Sequence, residues 1–269
     1  MSNTLVKALK TKEFRKKFLF TVFAVAVVRL GCQLPIPCID SAQVSAYLQS
    51  TLGDSFNLMN SFTGGSFLSM SIFALNVTPY ITASIIMQLL TIAIPALEEM
   101  HRDGEDGRKR MNKITRYLTV VLGLIESGSM AIAFAKQGTL GADYNALSII
   151  TMIVALTSGA VLVMWLGERI TESGIGNGIS IILLVNIVSR MPNDFYVLYE
   201  QFMKGKQIGP ALIAGVIIAG VVIFTTVFVI ILSDGERHIP IQYSKKIQGR
   251  KMVGGQSTHI PLKVNTAGV

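Results

Sequence analysis

Charge is scarce in these 269 residues: Asp, Glu, Lys and Arg make up 15% of the chain against 51% apolar residues. The mean hydropathy is +0.53, and a soluble domain carries about 25% charged residues, so an ordinary soluble enzyme or binding module is excluded. Cysteine and histidine are almost missing, at two and three residues. They form no Cys/His cluster, and no zinc or other metal site follows. Cys32 and Cys38 flank Pro35 and Pro37, which leaves open both a disulfide across a short stiff loop and two free thiols. No HExxH, no Gly-x-Ser-x-Gly elbow and no paired Asp within an apolar run is present, so no catalytic residue can be nominated. No ATP motif implies a cofactor. Lys and Arg are also missing between residues 35 and 71, which marks that stretch as one nothing hinders from export.

What the chain does contain is apolar blocks long enough to cross a ~30 Å hydrocarbon core. They fall near residues 18–34, 72–94, 115–135, 146–166, 178–190 and 211–232. This is an all-α polytopic membrane protein. No small-residue cleavage pattern follows the basic start, so the first block stays as a span. Counting Arg116 and Arg190 with their adjoining loops, 19 of the 24 Lys and Arg fall on one side of the membrane and 4 on the other, with Arg29 inside the first span. The bias places both ends in the cytoplasm. The net charge of +8 is therefore a topology signal first. Residues 1–17 read as a basic amphipathic segment suited to anionic lipids.

Residues 56–90 are unlike a simple anchor. A short piece, 56–67, contains the Gly64-Gly65 break; it is too short and too polar to cross, and such a half-helix is tolerated only inside protein or a wet cavity. The following span carries Pro79, expected to kink its interior, and Thr78, Thr82, Ser84 and Gln88, read either as packing contacts or as a wet surface. Arg29 lies ~16 Å into the first span and is expected to snorkel outward or to pair. Glu126 lies ~14 Å into the third, facing the second span's polar positions, neutralising Arg29 or taking a plain hydrogen bond.

Residues 98–113 form a charged loop with Gly104 and Gly107 as breakers, solvated or docking a soluble partner. Gly174, Gly176 and Gly178 lack a preceding strand and are a tight turn. The fifth span, 179–188, is unusually short and contains Asn186, and short spans point to functional interfaces. The outer segment 191–210 is open to a short interfacial helix, with Phe195, Tyr196 and Tyr199 at headgroup level. Alternation at residues 238–243 suggests a β-hairpin arm in the basic tail 233–269. The chain reads as truncated before a seventh span.

The runs SIFALNVTPYITASIIMQLL (71–90), RITESGIGNGISIILL (169–184) and QSTHIPLKVNTAGV (256–269) resemble the bacterial SecY family, central subunits of the protein-translocation channel. The likeness is collinear over essentially the whole chain and covers six of that family's ten spans plus the loop toward the seventh. It implies an inverted-repeat half over 18–190, with spans one to five and a plug at 56–69 (Phe56, Leu58, Met59, Phe62, Gly64, Gly65 and Phe67), then a sixth span. It implies an apolar pore ring at Val77 and Ile81, four apart on one helical face, with Leu183 and Ile187 from the fifth span. The remaining ring members belong to spans this chain does not hold. The lateral gate would use Thr82, Gln88 and Glu126, and the ribosome or the SecA motor would dock at Arg237, Lys245, Lys246 and Arg250. SecE, SecG, signal sequences and nascent polypeptides are the further implied partners, in the bacterial cytoplasmic membrane. Two departures are Asn76, where the family usually has Gly, and the polar Asn186 beside the ring. With one repeat absent, the chain alone should not form a sealed, gated channel.

The leading reading is a passive protein-conducting channel subunit, not an enzyme, in which an aliphatic ring gates by dewetting. A small-solute transporter using the broken helix with Glu126 and Arg29 is the alternative.

Overall fold

A computed structural model describes residues 11–37, 39, 41–136, 145–204, 208–241, 246–248, 251–253 and 258–263. They form eight helices and four short strands. The helices are α1 (Lys12–Gly31), α2 (Ser41–Phe62), α3 (Thr78–Ala93), α4 (Pro95–Arg102), α5 (Gly104–Lys136), α6 (Ala146–Ser173), α7 (Gly178–Phe202) and α8 (Ile208–Asp234). Each expected span falls on a helix. By length and composition, α5, α6, α7 and the Leu212–Asp234 part of α8 can cross a membrane alone. The helices α3 and α4 qualify only together and meet at 104°. The last 18 residues of α1 still include Arg15, Lys16, Lys17 and Arg29, which keeps it outside that group.

The chain divides into two compact units, Met1–Asn193 and Asp194–Val269. In the first, burial follows single stripes. Thr21, Ala24, Val28 and Gly31 are the buried positions of α1, three or four apart as one helix face requires. On α5 the buried row is Thr115, Thr119, Gly123, Ser127 and Ala131, small residues that let helices approach closely. The Ser127 and Thr157 hydroxyls meet at 2.9 Å between α5 and α6. Two clusters result. The first joins Val44 and Leu48 of α2 to Met70, Ala74, Ala131, Phe134, Met152 and Leu156. The other joins Ala24, Val28, Phe73, Val77, Val163, Ile170 and Ile182.

Several expected boundaries differ. The half-helix expected at 56–69 belongs to a longer helix that starts at Ser41 and stops at Phe62. The following residues up to Val77 run as turns. Pro79 does not kink a helix interior: it sits in the first turn of α3, where its missing N–H has no intrahelical partner to lose. The charged stretch 98–113 is helical on both sides of Asp103, and only Gly104 breaks it, at φ +72. Gly107 lies within α5, and a Cβ there would overlap the Met100 carbonyl oxygen. The fifth span is not a short helix: α7 continues through Pro192 to Phe202, since one proline removes one hydrogen bond without ending the helix. Phe195, Tyr196 and Tyr199 are thus exposed residues of this one long helix rather than of a separate short one.

In the second unit α8 is apolar on all sides, and none of its spanning window is buried. The expected β arm is present as two nested ladders. Strand β1 (Glu236–Ile241) pairs antiparallel with β4 (Thr258–Lys263), and β2 (Lys246–Gln248) with β3 (Lys251–Val253). Pro240 and Pro261 fit because each ladder has only two strands, which leaves each strand an unpaired edge.

Candidate functional site

The site is built where the chain leaves α2. Gly64 and Gly65 take φ +66 and +90, a region side chains rarely adopt, and turn the chain back on itself. The Gly65 amide donates to the Asn60 carbonyl at 2.9 Å, and the Leu68 amide to Asn60 Oδ1 at 3.2 Å. Ser66 Oγ donates to the carbonyls of Thr63 (2.8 Å) and Phe73 (3.1 Å). Asn60, Thr63 and Ser66 thus find partners within the turn, as burial demands, whereas Ser71 Oγ and the side-chain amide of Asn76 have none among the described residues. Asn60, Thr63 and Ser66 went unnamed in the sequence reading; the glycine pair beside hydroxyl residues was their only signal.

The turn is fastened on two sides. Ile36 N donates to Met70 O and Ile72 N to Leu34 O, both at 3.0 Å, around an isolated Pro35–Ser71 bridge. The second fastening is Arg29, which does not snorkel outward. Its Nη1 donates to Gly64 O at 3.3 Å and to Asn186 Oδ1 at 3.4 Å. A guanidinium within a span has more to gain from internal acceptors than from apolar surroundings. Arg29 therefore does not pair with Glu126, which is half-buried and forms no ion pair among the described residues.

The expected ring residues divide. Val77 is 1% exposed within the second cluster, and Ile81 and Leu183 pack against that cluster. Ile187 is 38% exposed and lies outside it. Val77 itself caps α3 rather than lying within it, and the Ile81 amide donates to its carbonyl at 3.0 Å. Of the expected plug residues, Gly64 is buried and Gly65 and Phe67 are half-buried, while Phe62 is 49% exposed. Phe56, Leu58 and Met59 lie on the backbone of α2, with side chains outside the described residues.

The expected gate residues are not brought into mutual hydrogen bonds. Thr82 Oγ1 donates to the Thr78 carbonyl of its own helix at 3.1 Å, and Gln88 is exposed. On the basic arm, Arg237 stands opposite Leu262 and Lys246 opposite Val253. Lys245 and Arg250 lie outside the described residues, as do Cys38, and with it any pairing to the buried Cys32, and most of the basic lead-in.

The glycine-rich turn before α7 is closed by its own side chains. Thr21 Oγ1 accepts from Ile175 N (3.2 Å), Thr171 Oγ1 from Gly178 N (2.8 Å), and Asn177 Oδ1 from Ile179 N (3.1 Å). That is a helix cap and a crossing between elements.

The SecY family model matches residues 71–269. Protein translocase subunit SecY of Corynebacterium glutamicum is 41% identical over 277 residues, covering 99% of this chain and 61% of that relative. Its counterpart from Mycobacterium tuberculosis is 39% identical over 280 residues, covering 100% and 62%. The chain thus spans less than two thirds of the length of these relatives. Three solved structures share the fold. One, described as a protein conducting channel, gives a TM-score of 0.55 at 20% identity, over 95% of this chain and 54% of that one. A second, on the plug domain of SecY, gives 0.54 at 20%, over 95% and 53%. Sec61 in a canine ribosome–channel complex gives 0.53 at 19%, over 87% and 51%. A multi-pass membrane chain with this helix order and a family match over most of its length belongs to the SecY family.

Proposed function

We propose that this chain supplies the first part of a protein-conducting channel, which passes unfolded polypeptides across the bacterial cytoplasmic membrane and releases membrane segments sideways into lipid. The observation that carries this is the turn after α2, seated between α1 and α7 beside an aliphatic cluster containing Val77. In this reading residues 56–69 act as the plug, and Val77, Ile81, Leu183 and Ile187 as the ring. An aliphatic ring excludes water and ions while making no directional contacts, so it can yield to any sequence. The rest of the ring and the opposite gate wall come from outside this chain. The protein is not an enzyme; driving force comes from the ribosome or the SecA motor at the basic arm, with SecE and SecG completing the channel and anionic lipids around it. Both ends of the chain lie in the cytoplasm. The solute-transporter reading used the broken helix with Glu126 and Arg29 and would be favoured by a paired internal charge network; Arg29 bonds the neutral Gly64 and Asn186 instead.

The test is ion conductance of the complete channel in planar bilayers. Val77→Asn or Ile81→Asn is expected to raise resting leak several-fold, because a polar side chain wets the constriction. Leak equal to the parent protein in both variants would remove the ring assignment.

A further inference from the structure

Arg29 carries an arrangement that a plain structural arginine does not need. Its Nη1 serves two neutral acceptors on two different elements, at 3.3 and 3.4 Å, long for charged donors. Asn186 is fully buried, and its Nδ2 has no partner among the described residues. Glycine suits position 64: its φ is +66, and a Cβ would lie 2.5 Å from Arg29 Nη1 and 3.1 Å from Asn186. On the turn's other side, a Cβ at Gly65 would lie 3.4 Å from Nη1 of Arg190, whose Nε is buried without a partner among the described residues. No carboxylate pairs with either arginine among the described residues.

We propose that Arg29 and Asn186 are positioning residues forming a deliberately weak latch, which holds the Gly64–Gly65 turn against α1 and α7 and lets it go when the channel opens. The gating half of this statement rests on reading residues 56–69 as a plug. At these distances each bond falls short of a well-formed charge-assisted one, whereas a carboxylate at position 186 would add an ion pair and a shorter contact with the guanidinium. The latch therefore has a substitution that tightens it as well as several that loosen it.

The experiment is hydrogen–deuterium exchange of this chain in lipid nanodiscs, following peptides over residues 60–72. Arg29→Gln and Asn186→Leu are expected to speed exchange there about tenfold, the loss of roughly one hydrogen bond. Arg29→Lys should fall between these variants and the parent. Asn186→Asp should slow exchange in the same peptides, and that protection should vanish in the Arg29→Gln/Asn186→Asp double variant. A purely structural arginine would instead give faster exchange in every variant, including peptides of α5 and α6. That result, or unchanged exchange over 60–72, overturns the latch. Ion leak of the complete channel separates the two ideas: exchange that shifts as expected with leak unmoved keeps the latch and removes the plug reading.

Discussion

Asn76 sits uncomfortably where the chain enters α3. Its φ is +49, it is 1% exposed, and neither amide atom has a partner among the described residues. Asparagine tolerates the left-handed region better than most side chains, but glycine does so freely. Replacing Asn76 by Gly removes a buried, unpartnered amide worth about 1–3 kcal/mol, offset in part by the greater freedom of glycine in the unfolded chain. The Asn76→Gly variant is expected to unfold a few degrees higher in detergent, and Asn76→Val lower, since a β-branched residue is a true outlier at positive φ. A lower midpoint for Asn76→Gly would mean that the amide has a bound partner such as water.

Between helices, close approach decides packing. At Gly159 of α6 a Cβ would overlap the carbonyl oxygen of Ile72, and at Gly31 of α1 it would overlap the Phe73 ring. A ring can tilt; a backbone oxygen held inside a bonded turn cannot. Gly159→Ala is therefore expected to cost about 1–3 kcal/mol, the usual range for overpacking, and Gly31→Ala less, as read by thermal unfolding in the same detergent. Equal losses at both sites would show that the turn is softer than its bonds suggest. The same elements show what sequence could reveal. Apolar runs located each spanning helix, and the Gly64-Gly65 break was legible because glycine pairs mark reversals. Boundaries were not, because proline reads as a kink or as a start depending on where the preceding backbone leaves the helix, and Pro79 is a start. The helix through Pro192 was missed for the same reason in reverse. Hydropathy gave the depth of Arg29 but not its azimuth, and only azimuth decides whether it meets water or Gly64.

At the scale of the molecule, charge and hydropathy sort cleanly. Helix α8 presents apolar side chains all round, as a span facing acyl chains or other spans does. The nested ladders carry the basic arm. Reversing the charge at Arg237, Lys245, Lys246 and Arg250 is expected to weaken ribosome binding by tenfold or more at low salt, with the difference shrinking as salt rises. Co-sedimentation across a salt series measures this, and binding unchanged at low salt would take the docking role from the arm. The bridge between Pro35 and Ser71 has a different consequence. It brings the two ends of residues 36–70 together at one point, so α1 and the run into α3 stay joined whatever the chain between them does. The chain between is thus a loop closed at its base, and it is also held along its length: Val44 and Leu48 by the first cluster, Gly64 by Arg29 and Ser66 by the Phe73 carbonyl.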